Sequence, residues 1–149
     1  MSFAKLSLKG RALRYLAQRE HSRAELVTKL AAHVEEGDDL NAMLDELEAK
    51  NFINAERVVD SVIHTKATRY GASRVAQELR RKGLAQDLIS DAMERLRGTE
   101  LARAKEVWQR RFGTPPTTPQ ERAKQMRFLA SRGFGGDVVR KVLVGADDD

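Results

Sequence analysis

Leucine, valine and alanine recur along this chain at every third or fourth position, and short groups of serine, asparagine, glycine and proline interrupt them. Apolar residues at that spacing share one face of a helix, so the pattern predicts a succession of amphipathic helices. Leu6, Leu13 and Leu16, with Leu8, Ala12 and Ala17 beside them, mark the first. Ser22-Arg23-Ala24-Glu25 is a capping box, in which serine and glutamate each satisfy a free backbone donor, worth about 1 kcal/mol. It opens a second helix that buries Leu26, Leu30 and Val34, and Gly37-Asp38-Asp39 then caps a third presenting Leu40, Met43, Leu44 and Leu47.

Asn54 caps a fourth helix through Val58, Val59, Val62 and Ile63. These β-branched residues keep a helical period, so tertiary packing has to favour helix there. Tyr70-Gly71 closes it, Ser73 opens a fifth burying Val75, Ala76 and Leu79, and Asp87 heads a sixth with Leu88, Ile89, Ala92, Met93 and Leu96, ended by Gly98-Thr99. A seventh, from Glu100 to Arg111, carries Leu101, Ala104, Val107 and Trp108. The paired prolines of the 112–118 stretch exclude helix. Thr118-Pro119-Gln120-Glu121 starts an eighth over Ala123, Met126 and Leu129, with proline at the first helical position. A ninth shows Val138, Val139, Val142 and Leu143, and 147–149 reads as a frayed acidic tail.

One phrase is written three times: Leu47-Glu48-Ala49-Lys50-Asn51-Phe52, Leu79-Arg80-Arg81-Lys82-Gly83-Leu84 and Leu129-Ala130-Ser131-Arg132-Gly133-Phe134. Each reads as a Schellman ending, in which Asn or Gly turns left-handed and the next apolar residue folds back onto the helix it has left. Repetition of a helix-and-corner unit predicts a row of small helical modules. The expected architecture is all-α: an elongated, curved array of three tandem three-helix repeats, at 1–53, 54–97 and 98–146, with the proline and glycine linker inside the third.

Composition narrows the function. The chain has 149 residues, a net charge of +5 and a pI near 9.7, and the first third is nearly neutral, so the positive excess lies in the rest. A basic balance suits a polyanionic partner or an assembly containing one. With 5% aromatic residues the chain is poor in platforms for stacking bases, and with no cysteine it has neither disulfides nor thiolate chemistry. No run approaches the roughly 20 apolar residues of a membrane span, and Met1 to Lys5 lacks the apolar stretch of a signal peptide. A cytoplasmic monomer without membrane contact is expected.

The order and spacing of four motifs resemble the RecX family of recombinase regulators over nearly the whole chain. They are Ser22-x-x-Glu25-Leu26-x-x-Lys29-Leu30; Gly71-x-x-Arg74-Val75-x-x-Glu78-Leu79-x-x-Lys82-Gly83-Leu84; Ala104-x-x-x-Trp108-x-Arg110-Arg111-Phe112-Gly113; and Arg127-Phe128-Leu129-x-x-Arg132-Gly133-Phe134. The chain departs from the family pattern at Ala55, Val58 and Val59, where relatives carry an acidic residue, phenylalanine and alanine; the change is expected to repack the first two units against each other. The resemblance implies tandem three-helix repeats in a curved body. It also implies binding to the filament that RecA recombinase forms on single-stranded DNA, with lowered recombinase, nucleotide-hydrolysing and coprotease activity in DNA repair and the SOS response.

Candidate contacts fall in three basic zones. Arg69, Arg74, Arg80, Arg81 and Lys82 stand against Glu78 alone. Either this surface meets carboxylates or phosphates, or it is a solvated face whose last-turn cations favour the helix dipole. Arg74, near a helix start, gains nothing from that dipole and points to function. Arg103, Lys105, Arg110 and Arg111 surround Trp108, whose spacing marks it as a core anchor. Arg122, Lys124, Arg127, Arg132, Arg140 and Lys141 form the third zone. The acidic group Glu35, Glu36, Asp38 and Asp39 matches no EF-hand spacing and reads as a solvated turn.

His21, His33 and His64 lack metal-ligand spacing, and Gly133-Phe134-Gly135-Gly136 lacks the strand and lysine of a phosphate loop. Catalysis, metal and cofactor are therefore not expected. The main expectation is a filament modulator with weak, sequence-independent affinity for single-stranded DNA, duplex DNA being left open. The alternative is a helix-turn-helix regulator reading duplex DNA through Ser73, Arg74 and Gln77.

Overall fold

Three separate apolar cores follow one another along the chain, each built from three helices. The computed structural model describes residues 6–148, with side chains to 145, so Met1 to Lys5 and Asp149 lie outside the described residues. Those described form nine α-helices: α1 Leu8–Gln18, α2 Arg23–Leu30, α3 Leu40–Ala49, α4 Ala55–Lys66, α5 Ala72–Arg81, α6 Gln86–Arg97, α7 Glu100–Arg111, α8 Pro119–Ser131 and α9 Gly136–Asp148. No strand occurs among them. The first core centres on Leu26, Leu30, Leu44 and Leu47, the second on Val58, Val75, Leu79 and Ile89, and the third on Trp108, Leu129, Val142 and Leu143. The accessible surface, 9451 Å², exceeds the roughly 7,600 Å² of a compact monomer of this mass, as an extended row of small cores requires.

The local signals that end helices behave as the residues dictate. Asn51, Gly83 and Gly133 all have left-handed backbone, with φ of 66°, 75° and 92°. In each, the following amide reaches back to the leucine that opens the phrase: Phe52 to Leu47 at 2.9 Å, Leu84 to Leu79 at 3.2 Å and Phe134 to Leu129 at 3.2 Å. Ser22, Asp39, Asn54 and Thr118 cap their helices as expected.

Several details differ from the sequence expectation. Val34 is 41% exposed because Ala31–His33 tightens into a 3-10 turn that ends α2 at Leu30. Phe52 is 47% exposed, and Ile53 takes the buried place after the first turn. In α8 the buried residues are Gln125 and Leu129, while Ala123 and Met126 are half-buried. Helix α9 continues through residues 147 and 148, which were expected to fray. Gly71, not Ser73, occupies the cap position of α5. Val58 and Val59 pack inside the second core rather than between the first two units.

The second helices of successive units meet end to start. At the first joint, the Ser22 hydroxyl at the head of α2 donates to the Lys82 carbonyl at the end of α5, 2.6 Å away. At the second, the Ser73 hydroxyl near the head of α5 donates to the Gly133 carbonyl at the end of α8, 2.8 Å away. Both pairs are sixty residues apart in the chain. Carbonyls left free by one helix end thus meet hydroxyl donors at another helix start, and the Ser22 hydroxyl also accepts from the Glu25 amide, so it serves both helix ends at once. Glycine at the turn is needed for φ and for space: a Cβ on Gly83 would lie 2.7 Å from that of Ala24, and one on Gly133 would lie 2.3 Å from the Arg74 Cγ.

The first joint carries titrating groups. Burial raises the Glu25 pKa, but hydrogen bonds from Arg19 and the Ser22 amide, with the charges of Lys82 and Arg19, outweigh it and hold the carboxyl at about 2. Burial pushes His21 below its ordinary 6.5; its Nδ1 lies 3.0 Å from the Arg19 carbonyl and its Nε2 2.9 Å from the Lys29 ammonium, which suits the neutral ring. Unfolded His21 binds its proton at a higher pH than folded His21, so stability falls as pH drops below 6.5. The Glu25 contribution is complete above 4.5 and is lost as pH falls towards 2. Urea midpoints are therefore expected to decline in two stages on acidification. Glu25→Gln reduces the lower stage, leaving the part contributed by Glu46 and Glu121, whose carboxyls are also held below their ordinary range; a parallel decline of wild type and variant below pH 4.5 would contradict the role given to Glu25.

Candidate polyanion-binding surface

The basic residues of the sequence separate into internal struts and a surface group. Lys82 belongs to the struts: its side chain is 15% exposed and its ammonium lies 3.3 Å from Glu25 and 3.7 Å from Glu78. Arg103 does too. Its Nη1 donates to the Ala67 and Tyr70 carbonyls, both at 2.9 Å, its Nη2 to the Leu96 carbonyl at 3.2 Å, and its Nε to the Thr99 hydroxyl at 3.1 Å. Burial lowers its pKa against a weaker opposing influence of Glu100. Lys82 and Arg103 thus have their donors committed within the chain, unlike the cations at the surface. Part of each commitment is local, to Glu78 and Thr99 four positions away, but Glu25, Ala67 and Tyr70 are brought in only by the fold.

Arg74 has a structural tie as well, donating to the Ser131 carbonyl at 2.7 Å. With Ser73 on Gly133, this covers the head of α5 with the end of α8. A helix-turn-helix reader would need that head free to approach base edges, so Ser73 and Arg74 do not form such a reading edge. Arg80 is exposed and has no ion-pair partner among the described residues, while Arg81 pairs with Glu78 at 3.1 Å and stays 77% exposed. Lys105, Lys124, Arg127 and Lys141 are exposed, Arg122 is half-buried with an interaction of its own, and Arg140 pairs with Asp137.

All three basic zones, distant from one another in sequence, converge at the second joint. Arg69, Arg110, Arg111 and Arg132, with Val107 and Phe128, line a concavity of about 230 Å³ with no carboxylate in its wall. Aromatic faces hold the guanidiniums. Arg132 lies 4.9 Å and Arg111 5.5 Å from the centre of the Phe128 ring. Around Tyr70 stand Arg74 at 4.9 Å, Arg132 at 5.5 Å, Arg69 at 5.7 Å and Lys66 at 5.8 Å. Arg110 is tethered by a 2.7 Å bond to the Thr68 carbonyl. Beneath, Phe112 meets Phe128 edge-on, and the Trp108 indole donates to Gln125 at 2.8 Å, which in turn donates to the Thr114 carbonyl. Trp108 is thus the core anchor that its spacing suggested.

Cations stacked on rings are held with their donor edges free, which favours recognition of oxyanions. In the sequence Tyr70 marks only a helix ending and Phe128 only a place in a motif. The available signal was their place beside arginine in Arg69-Tyr70 and Arg127-Phe128, but only the fold brings these two dipeptides together.

The molecule defined by these features is an all-α protein of three tandem three-helix units, jointed end to start and bearing an arginine-rich surface across its second joint. Family profiles of the first, second and third three-helix domains of RecX match residues 9–47, 56–93 and 99–143. The chain belongs to the RecX family. It is 55% identical over 144 residues to regulatory protein RecX of Leptothrix cholodnii, covering 97% of this chain and 92% of that one. It is 51% identical over 142 residues to regulatory protein RecX of Ralstonia nicotianae, covering 95% and 89%. The crystal structure of RecX from Lactobacillus salivarius shares the fold, with a TM-score of 0.79 at 18% identity over 95% of this chain and 96% of that one.

Proposed function

We propose that this chain is a regulatory protein that binds the RecA filament on single-stranded DNA, lying along its helical groove across neighbouring protomers. The observation that carries this reading is the jointed row itself, with cations on the second unit at Arg80 and Arg81, across the second joint, and on the third at Arg127 and Lys141. Shallow contacts spread along a row add through effective concentration, so affinity is high for a polymer and low for its free subunit. A row that bridges protomers opposes the movements accompanying nucleotide turnover and competes with incoming duplex for the groove. Inhibition of recombinase, ATPase and coprotease activity then needs no chemistry from this chain. The names of its RecX relatives support a regulatory role.

Added to RecA on single-stranded DNA, the protein is expected to slow ATP hydrolysis, and no slowing at any ratio would overturn the proposal. Reversing both exposed charges, Arg80→Glu with Arg81→Glu, is expected to weaken filament binding about tenfold or more at moderate salt, because each exposed cation contributes through a salt-sensitive contact. Unchanged binding would remove the second unit from the interface.

A further inference from the structure

We propose that the concavity at the second joint is a base-blind phosphate site for single-stranded nucleic acid, in which Tyr70 and Phe128 are platforms for guanidiniums and not for bases. This deepens the filament reading by assigning one surface of the chain to the nucleic acid.

The argument starts from what occupies the rings. Nucleic-acid proteins that stack bases need an aromatic face open to the strand. Phe128 is instead packed edge-on against Phe112 and approached by Arg111 and Arg132. Tyr70 has four cations within 6 Å of its centre. A base would have to displace a guanidinium to reach either ring. Phosphate has no such obstacle, because a guanidinium lying on a ring keeps its in-plane N–H fork for an oxyanion.

Charge and shape point the same way. The four lining arginines face no carboxylate in the wall, and the Arg110 tether to Thr68 leaves its remaining donors free to reach outward. The Val107 and Phe128 floor limits water beneath the cations, which strengthens their attraction for an anion. A flexible single strand can bend consecutive phosphates into a recess of about 230 Å³. A duplex holds its phosphates on a rigid convex outline.

The second joint keeps the arrangement assembled. Arg69 and Tyr70 come from the loop after α4, Arg110 and Arg111 from the end of α7, and Arg132 from the end of α8. The Gly71 amide bonds the Arg132 carbonyl at 2.7 Å, which fixes the two arginine-bearing segments together.

The test measures fluorescence anisotropy without recombinase, on an oligothymidylate, an abasic strand of equal length, and polyglutamate as competitor. The oligothymidylate and the abasic strand are expected to bind equally, with polyglutamate displacing them poorly. Arg111→Glu is expected to weaken both strands alike and to flatten the salt dependence by about one unit in slope. Tyr70→Leu and Phe128→Leu are each expected to weaken both strands equally, with helical content by circular dichroism reporting that the fold persists. Clearly weaker binding of the abasic strand, or a Phe128→Leu loss confined to the base-bearing strand, would overturn the base-blind mode. Effective displacement by polyglutamate, or indifference to Arg111→Glu, would overturn the phosphate site. Because recombinase is absent, these outcomes are independent of ATPase inhibition, so either reading can fail alone.

Discussion

Gly71→Ala is expected to destabilise the chain by about 3 kcal/mol, the upper range for forcing a methyl group into a packed site. The backbone conformation of Gly71, φ −77°, suits alanine, so the effect isolates contact from conformational strain. A Cβ there would lie 2.3 Å from the Gly133 carbonyl oxygen, 2.4 Å from its carbon and 2.5 Å from the Phe134 amide nitrogen. All three are backbone atoms, which cannot rotate away as a flexible side chain would. Relief requires the α8 end to retreat from the α5 head, breaking the Gly71 bond to Arg132 and the Ser73 bond to Gly133. Urea unfolding measures the loss, and Gly135→Ala, where nothing lies within 4 Å, is the control. Equal stability of the two variants would show that the joint is looser than its distances state. Nucleic-acid affinity should fall with Gly71→Ala, since Arg132 and Arg69 separate with the joint.

Arg103→Ala is expected to cost about 3 kcal/mol, because it strands the Ala67, Tyr70 and Leu96 carbonyls that the guanidinium now serves. Arg103→Lys is expected to recover only a small part. An ammonium offers its donors from one point, whereas these acceptors belong to the ends of two different helices and are bridged by a planar fork. Comparison of urea midpoints with filament affinity decides the role of the residue. If Arg103→Ala keeps full stability and loses only binding, Arg103 is a partner contact and not an internal cap.

These two residues also illustrate what a sequence can disclose. Helix starts and corners were readable because their chemistry is local: the Ser22 box, the Thr118-Pro119 start and the left-handed turns at Gly83 and Gly133 each involve neighbours within six positions. Val34 is misplaced by extending a helical period past the change to 3-10, and Phe52 by expecting the residue directly after the left-handed Asn51 to fold back, where Ile53 takes the buried place. Gln125 escaped notice because a polar residue on a buried face looks like surface until its partners, Trp108 and Thr114, are in place. At the surface site the arginines were legible as charge, but their sorting was not. Lys82 and Arg103 differ from Arg111 and Arg132 only in what the folded chain brings beside them.

The two joints are unequal, and that has a mechanical consequence. The second is fastened by Gly71, Ser73, Arg74, Arg103 and Arg110, each bonded to a backbone carbonyl across it. The first rests on the Ser22 bond to Lys82, on the Lys82–Glu25 and Arg57–Glu20 ion pairs, and on the bonds of Arg57 to the Asn51 and Phe52 carbonyls. Under load, stiff and compliant couplings in series do not share the flexing. The leading unit is expected to swing while the other two travel as one lever, so that a protein lying along a filament, as proposed, would adjust its pitch to that track without loosening its far end.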